Sequence, residues 1–193
     1  MSRLSPTAPI TAVVYQDRRP PDALLAGVAA KLGAAGVSLA GFVEKDLPRP
    51  GRTRCDMILE DLATGTQVQI SEDRGEGARG CRLQVGELLR AMTSALASLE
   101  NRPDLLIVNK FGKTEGEGGG FRPLIAAAIE QGTPVLIAVP ARNLDPWRRF
   151  AGELAVEYHH DDVASVATLC RLLGVEDVPE VEASLNSARA LRQ

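Results

Sequence analysis

The sequence predicts a three-layer α/β domain built on a mainly parallel sheet that carries one antiparallel hairpin. Short apolar runs alternate along the chain with stretches whose apolar residues recur at helical spacing. Between Asp104 and Val139 a strand, a helix and a strand follow one another with short links, which implies a parallel pair joined by a right-handed crossover. From Asp56 to Ser71 two strand-like runs flank a turn.

The elements follow in order. Ile10 to Tyr15 is an apolar run that opens a strand, and Leu24, Leu25, Val28, Ala29 and Leu32 stripe a helix behind Pro21 and Asp22. Gly36 resets the chain into a second apolar run, Val37 to Val43, before the loop Pro48 to Arg54. Asp56 to Leu62 and Gln67 to Ser71 flank Ala63-Thr64-Gly65-Thr66, with Val68 and Ile70 alternating as in a half-buried strand. Ser71 to Arg82 has three glycines and no period, hence a loop. Val85, Leu88, Leu89, Met92, Ala95, Leu96 and Leu99 mark one face of a helix. Asp104 to Val108 is a buried-type strand, Phe121, Leu124, Ile125, Ala128 and Ile129 stripe the helix after it, and Pro134 to Val139 is the next strand. Asp145-Pro146 predicts the N-cap and first residue of a short helix through Phe150, with Trp147 packing it onto the sheet. Val163, Val166, Leu169, Leu172 and Leu173 stripe a last helix. The expected organisation is one domain, residues 1–174, and a polar tail, 175–193.

The chain has 193 residues, a net charge of -3 and 4 % aromatic residues, so it lacks both the positive balance and the stacking platforms of a nucleic-acid binder. Met1 to Pro9 holds no long apolar stretch, and no segment approaches the roughly 20 apolar residues of a membrane span, so a cytoplasmic location without direct membrane insertion is expected. The three cysteines fit neither a disulfide framework nor a CxxC motif. His159-His160-Asp161-Asp162 lacks a third ligand at metal-like spacing; it reads as a turn with Asp162 as a candidate N-cap, and no metal is expected.

Ligands of open α/β sheets bind beyond the carboxyl ends of the parallel strands. Three loops there supply Arg18 and Arg19; Asn109, Lys110 and Lys113; and Arg142 and Asn143, a cationic set in an acidic protein that points to a small anion. Five glycines between Gly112 and Gly120, with Gly118 and Gly119 beside a helix start, could expose backbone N–H groups to an oxyanion, so this segment is expected to order over its ligand. A second candidate, an anion or thiol site, comprises Cys55, Arg79, Cys81 and Arg82, with Cys55 and Cys81 expected near each other at the two ends of the hairpin.

The runs RCDMILEDLATG (Arg54 to Gly65), GARGCRL (Gly77 to Leu83), DLLIVNKFGKTEGEGGGFR (Asp104 to Arg122) and PVLIAVPARNLDPWRRFAG (Pro134 to Gly152) resemble a bacterial domain-of-unknown-function family often labelled molybdenum ABC transporter ATP-binding protein. That resemblance spans roughly Thr11 to Gly152 and implies an association with molybdate uptake or molybdoenzymes. The family is distantly similar to a thermophilic nucleoside-triphosphatase family, which narrows the expected class to a P-loop-NTPase-like, Rossmann-like sheet. There the central strand ends in Asp-Glu-x-Gly; here Asn109, Lys110, Phe111 and Gly112 stand at those positions, with Glu115 at the later acidic one. The stretch YQDRRPPDALL replaces the phosphate-binding loop G-x-x-x-x-G-K-[ST], and no LSGGQ-like signature is present.

The reading that follows is a non-hydrolytic accessory protein of molybdenum metabolism that binds a molybdate-type oxyanion or a nucleotide phosphate, without Mg²⁺, and partners a molybdate transporter component or a molybdoenzyme. One alternative is phosphoryl transfer or nucleotide hydrolysis, with Lys110, Lys113 and Glu115 replacing the lost motifs. The other is a partner-binding module docking through the surface around Trp147.

Overall fold

A computed structural model describes residues 4–16, 20–47, 56–72, 82–163 and 165–175. Strands β1 (Ile10–Tyr15), β2 (Leu39–Leu47), β3 (Asp56–Asp61), β4 (Gln67–Gln69), β7 (Leu105–Val108), β8 (Val135–Pro140) and β9 (Ala155–His159) form one sheet in the order β4-β3-β2-β7-β8-β1-β9. The pairs β2/β7, β7/β8, β8/β1 and β1/β9 are parallel, whereas β2/β3 and β3/β4 are antiparallel. Two short strands, β5 (Ser71–Glu72) and β6 (Arg82–Leu83), make a separate antiparallel ladder, so the expected loop from Ser71 to Arg82 starts and ends paired.

The central strands alternate between two cores. Ala12 and Val14 of β1, Leu106 and Val108 of β7, and Ile137 and Val139 of β8 face one; Val13, Leu105, Ile107, Leu136 and Ala138 face the other. Helices α2 (Val85–Leu99), α4 (Arg122–Glu130) and α5 (Leu144–Ala151) cover the first face through Ala91, Ala95, Leu99, Leu124, Ile125, Trp147 and Ala151. Helices α1 (Asp22–Ala34) and α6 (Val166–Leu172) cover the second through Leu25, Val28, Leu32, Leu169 and Cys170. A constant crossover hand explains this division: β1 to β2 runs across the sheet in one direction, every later parallel crossover runs in the other, and reversing direction puts the helix on the opposite face. The three-layer α/β class expected from the sequence is the one observed, and it is consistent with a P-loop-like fold.

Four local expectations are corrected. Strand β9 was not foreseen; it is an edge strand with Val156 and Tyr158 only half-buried, so no continuous apolar run marks it. A one-turn helix, α3 (Lys113–Gly116), interrupts the glycine-rich segment. Helix α5 begins at Leu144 with Asn143 as N-cap, so Asp145 and Pro146 fall inside its first turn, where the missing proline N–H has no intrahelical partner to lose. The cap of α6 is Ser165, whose hydroxyl oxygen accepts from the Thr168 N–H at 3.1 Å; Asp162 lies in the preceding turn. No helix among the described residues is long and apolar enough to cross a membrane.

Candidate functional site

Because β1, β7, β8 and β9 run parallel, their carboxyl ends share one edge. The connection leaving β8 goes to α5 on one face and that leaving β1 goes to α1 on the other, so the two diverge at neighbouring strand ends, the place where open α/β sheets take ligands. Tyr15 and Pro140 are in register there, and the His160 N–H donates to the Val14 carbonyl at 2.8 Å, so the turn after β9 reaches the same edge.

Strand β2 shapes the other side. Leu39 to Gly41 pair with Leu105 to Ile107, after which β2 leaves the central strand and continues with β3 alone. Gly41 makes this departure possible: its φ is +92°, and a Cβ there would lie 2.0 Å from the Ile107 carbonyl oxygen. Beyond the split the side chain of Asn109 takes over the stitching. Its Oδ1 accepts from the Glu44 N–H at 3.2 Å, and its Nδ2 donates to Glu44 Oε2 at 2.8 Å and to Asp22 Oδ1 at 3.2 Å. Lys110 Nζ donates to the same Glu44 oxygen at 3.0 Å. Glu44 is only 7 % exposed, so this is a buried carboxylate held by an amide and an ammonium.

Several predicted ligand groups are therefore already engaged within the fold. Asn109 and Lys110 are turned onto Glu44. Glu115 is buried, with Oε2 accepting from the Gly112 N–H at 2.8 Å and Oε1 from the Phe121 N–H at 3.0 Å. It takes the Phe121 amide at the entry to α4 and the Gly112 amide at the start of the glycine-rich segment, two N–H groups of the stretch that the sequence reading offered to an external anion. Gly118 and Gly119 also donate inward, to the Glu115 carbonyl at 3.2 Å and the Thr114 carbonyl at 2.9 Å. The chain's own carboxylate and carbonyls thus hold this segment without an external ligand. Gly120, at φ +59°, is required for that packing, since a Cβ would lie 1.9 Å from Glu115 Oε1. Asn143 Nδ2 donates to the Phe111 carbonyl at 2.9 Å, pinning the β7 exit to the β8 exit.

Two predicted cations remain outward. Lys113 has a side chain 86 % exposed and meets Glu117 at 3.5 Å, while Arg142 is exposed in the 3-10 turn after β8. Arg18 and Arg19 lie outside the described residues, as do Cys55, Arg79 and Cys81; of Arg82 only the backbone, in β6, is described. Among the described residues no three His, Cys, Asp or Glu side chains are grouped to hold a metal. Cys170 is buried, and burial pushes its thiol up despite the nearby Lys31, so it is a poor nucleophile.

Trp147 is fully buried against Phe111, with ring centroids 5.2 Å apart in an edge-to-face arrangement, and against Phe150. The packing role expected for it is observed; the docking surface imagined around it loses its anchor. Glu44 and Asp22 are the residues that sequence reasoning missed. A signal existed for Glu44: it continues the inward-facing alternate row of Ala40 and Phe42, so an acid stood where an apolar residue belonged.

A parallel-sheet α/β protein with an occupied central-strand exit and no phosphate-binding loop sequence is the class that fold and edge define. Residues 10–167 match the family described as "Protein of unknown function (DUF2478)", and the chain belongs to that family. It is also 34 % identical over 143 residues to the "Molybdenum import ATP-binding protein ModC 2" of Bradyrhizobium diazoefficiens (strain JCM 10833 / BCRC 13528 / IAM 13628 / NBRC 14792 / USDA 110). The match covers 74 % of this chain but only 16 % of that protein's length. No solved structure matches the chain significantly.

Proposed function

We propose that this chain is a non-hydrolytic accessory module of molybdenum import or use, acting in the cytoplasm and taking a small anion at the carboxyl edge of its sheet. The observation that carries this reading is the Asn109–Glu44–Lys110 knot. Nucleotide hydrolysis at such an edge needs an acid on the central strand to hold Mg²⁺ or its water, and a cradle of amide groups for the phosphates. Here the strand exit carries an amide and an ammonium tied to a buried carboxylate, and Glu115 uses both its oxygens on backbone N–H groups. Lys113 and Arg142 stand exposed on the β7 and β8 connections and are the groups assigned to the anion, together with Arg18 and Arg19, which follow β1 in the chain.

The relative's name supports the molybdenum context. Its matched part is 16 % of its length, so the shared module is a small share of the protein that carries this name. The natural partner is then a molybdate transporter component or a molybdoenzyme.

Thermal shift with molybdate, tungstate, sulfate, phosphate and nucleotides tests the reading. A ligand at 100 times its Kd stabilises by about 2.7 kcal/mol. For a protein of this size that is a rise in Tm of roughly 5–10 °C. The rise should shrink in Arg142→Ala and Lys113→Ala, and Mg²⁺-ATP should release no phosphate above background. No shift with any anion would remove the binding half of the proposal, and turnover abolished by Glu115→Gln would remove the non-hydrolytic half.

A further inference from the structure

Arg148 and Arg122 bring two guanidinium groups to α5, and these are served differently. Arg148 holds Glu157 bidentately, Nη2 donating to Oε2 at 2.7 Å and Nε to Oε1 at 3.1 Å. Arg122, the half-buried first residue of α4, lies over the Phe150 ring with its guanidinium carbon 4.5 Å from the centroid. Phe150 stacks in turn on the buried Phe111 at 5.6 Å, so the core supports the ring from below. A ring attracts the charge above it but leaves most of the five guanidinium N–H donors without an acceptor. Among the described residues no oxygen meets the Arg122 side chain. Its Nη1 lies 3.8 Å from where a Cβ at Gly118 would stand, and Gly118 to Gly120 carry no side chain to answer it. A Cβ at Gly116 would lie 3.5 Å from Pro146, so the glycine-rich segment rests on the first turn of α5, directly after the 3-10 turn that carries Arg142. Lys113 opens the same segment. Arg122 thus stands where the connections bearing the two exposed cations meet.

We infer that Arg122 is an anion-binding residue whose planar fork takes two oxygens of a tetrahedral oxyanion while Phe150 holds the guanidinium in place. The inference rests on the anion reading above and gives that site a means of selection. A lysine such as Lys113 offers a point charge to any anion, whereas an arginine fork matches two oxygens on one centre. Molybdate, sulfate and phosphate share that geometry; chloride does not.

The test is calorimetric titration of molybdate, sulfate and phosphate into wild type, Arg122→Met, Arg122→Lys and Phe150→Leu at constant ionic strength. Methionine keeps a similar apolar stem and removes the charge. Arg122→Met should raise the oxyanion Kd at least about tenfold, one lost charge-assisted contact. Arg122→Lys keeps the charge without the fork and should recover less than half of that loss on a logarithmic scale. Phe150→Leu leaves every charge in place and should still raise the Kd about threefold, because the ring no longer seats the guanidinium. Urea midpoints and the emission of Trp147, the chain's single tryptophan, check that each variant keeps its packing. If Arg122→Met does not fold, Arg122→Gln takes its place. Chloride at the same ionic strength should not displace the oxyanion. A Kd within about twofold of wild type in Arg122→Met, an Arg122→Lys equal to wild type, or equal competition by chloride overturns the fork. Binding lost in Lys113→Ala and Arg142→Ala but kept in the Arg122 variants leaves the anion reading standing and removes this inference. A wild type that binds none of the three oxyanions removes both.

Discussion

Removing the Glu115 carboxylate should unfasten the glycine-rich segment, and the loss can be worked out from its two bonds. Each is a backbone N–H donating to an ionised oxygen, at 2.8 Å from Gly112 and 3.0 Å from Phe121, and such bonds contribute about 1.5–3 kcal/mol. The two are unequal in consequence. Phe121 is 8 % exposed, so in Glu115→Ala its N–H is left dry and the full desolvation penalty of about 2 kcal/mol applies. Gly112 is half-buried, so water can replace part of its lost bond and about 1 kcal/mol is expected there. The sum, about 3 kcal/mol, corresponds to a fall in Tm of roughly 6–12 °C for a chain of this length. Glu115→Gln keeps one acceptor but turns an NH₂ group towards a donor, so it should lose at least half as much. Urea denaturation gives the free energies, and amide hydrogen exchange at Gly112 and Phe121 should accelerate before the rest of the sheet opens. Formate, a carboxylate small enough to replace the lost group, should return part of the stability of Glu115→Ala. Should Glu115→Ala unfold within about 0.5 kcal/mol of wild type, with exchange at both amides unchanged, the carboxylate is no clasp and the segment is held by something else.

Gly41→Ala should be among the most damaging single changes in the chain, because the added Cβ would lie 2.0 Å from the Ile107 carbonyl at a backbone with φ +92°. A loss above about 3 kcal/mol, or failure to accumulate folded protein, is expected in urea denaturation; near-wild-type stability would mean that β2 does not diverge there. On the exposed ribbon, the Lys45 hydrogen bond holds the Glu60 carboxyl below its ordinary 4.5, against the opposing pull of partial burial and with help from Gln67. A folded-state value below the unfolded one stabilises above the unfolded value and is lost as pH falls through the folded one. The pair is solvent-screened, so its share is below about 1 kcal/mol, present at pH 7 and lost as pH falls through the lowered folded value. Lys45→Met should reduce the fall in urea midpoint on acidification from pH 7, and an unchanged fall would show that the pair contributes nothing.

The sheet was readable because its central strands are buried on both faces and therefore run apolar without a break, as Leu105 to Val108 do. Helix stripes were readable for the same reason: Leu24, Leu25, Val28, Ala29 and Leu32 all point into one core. Strand β9 was not, since an edge strand needs only one neighbour and half a buried face, and Glu157 is turned to the Arg148 guanidinium on α5. Cations after the strands were legible as charges but not as partners. Lys110 and Glu44 are 66 residues apart, and pairing across that separation depends on where β2 departs from β7. Nothing local to NKFGK announces that its lysine will be answered from another strand.

That pairing changes what the edge can do. Counting charges along the loops gives a cationic rim, whereas following hydrogen bonds divides the rim in two: a closed half at β2 and β7, where Asp22 and Glu44 converge on Asn109 and Glu44 also binds Lys110, and an outward half carrying Lys113 and Arg142. The closed half sets the Glu44 carboxylate beside Lys110, and the outward half carries the exposed Lys113, 3.5 Å from Glu117, and the exposed Arg142. Arg142 stands on the connection that leaves β8, next to the end of β1. A single tetrahedral oxyanion is the ligand proposed for that half, where Glu44 is not part of the exposed surface.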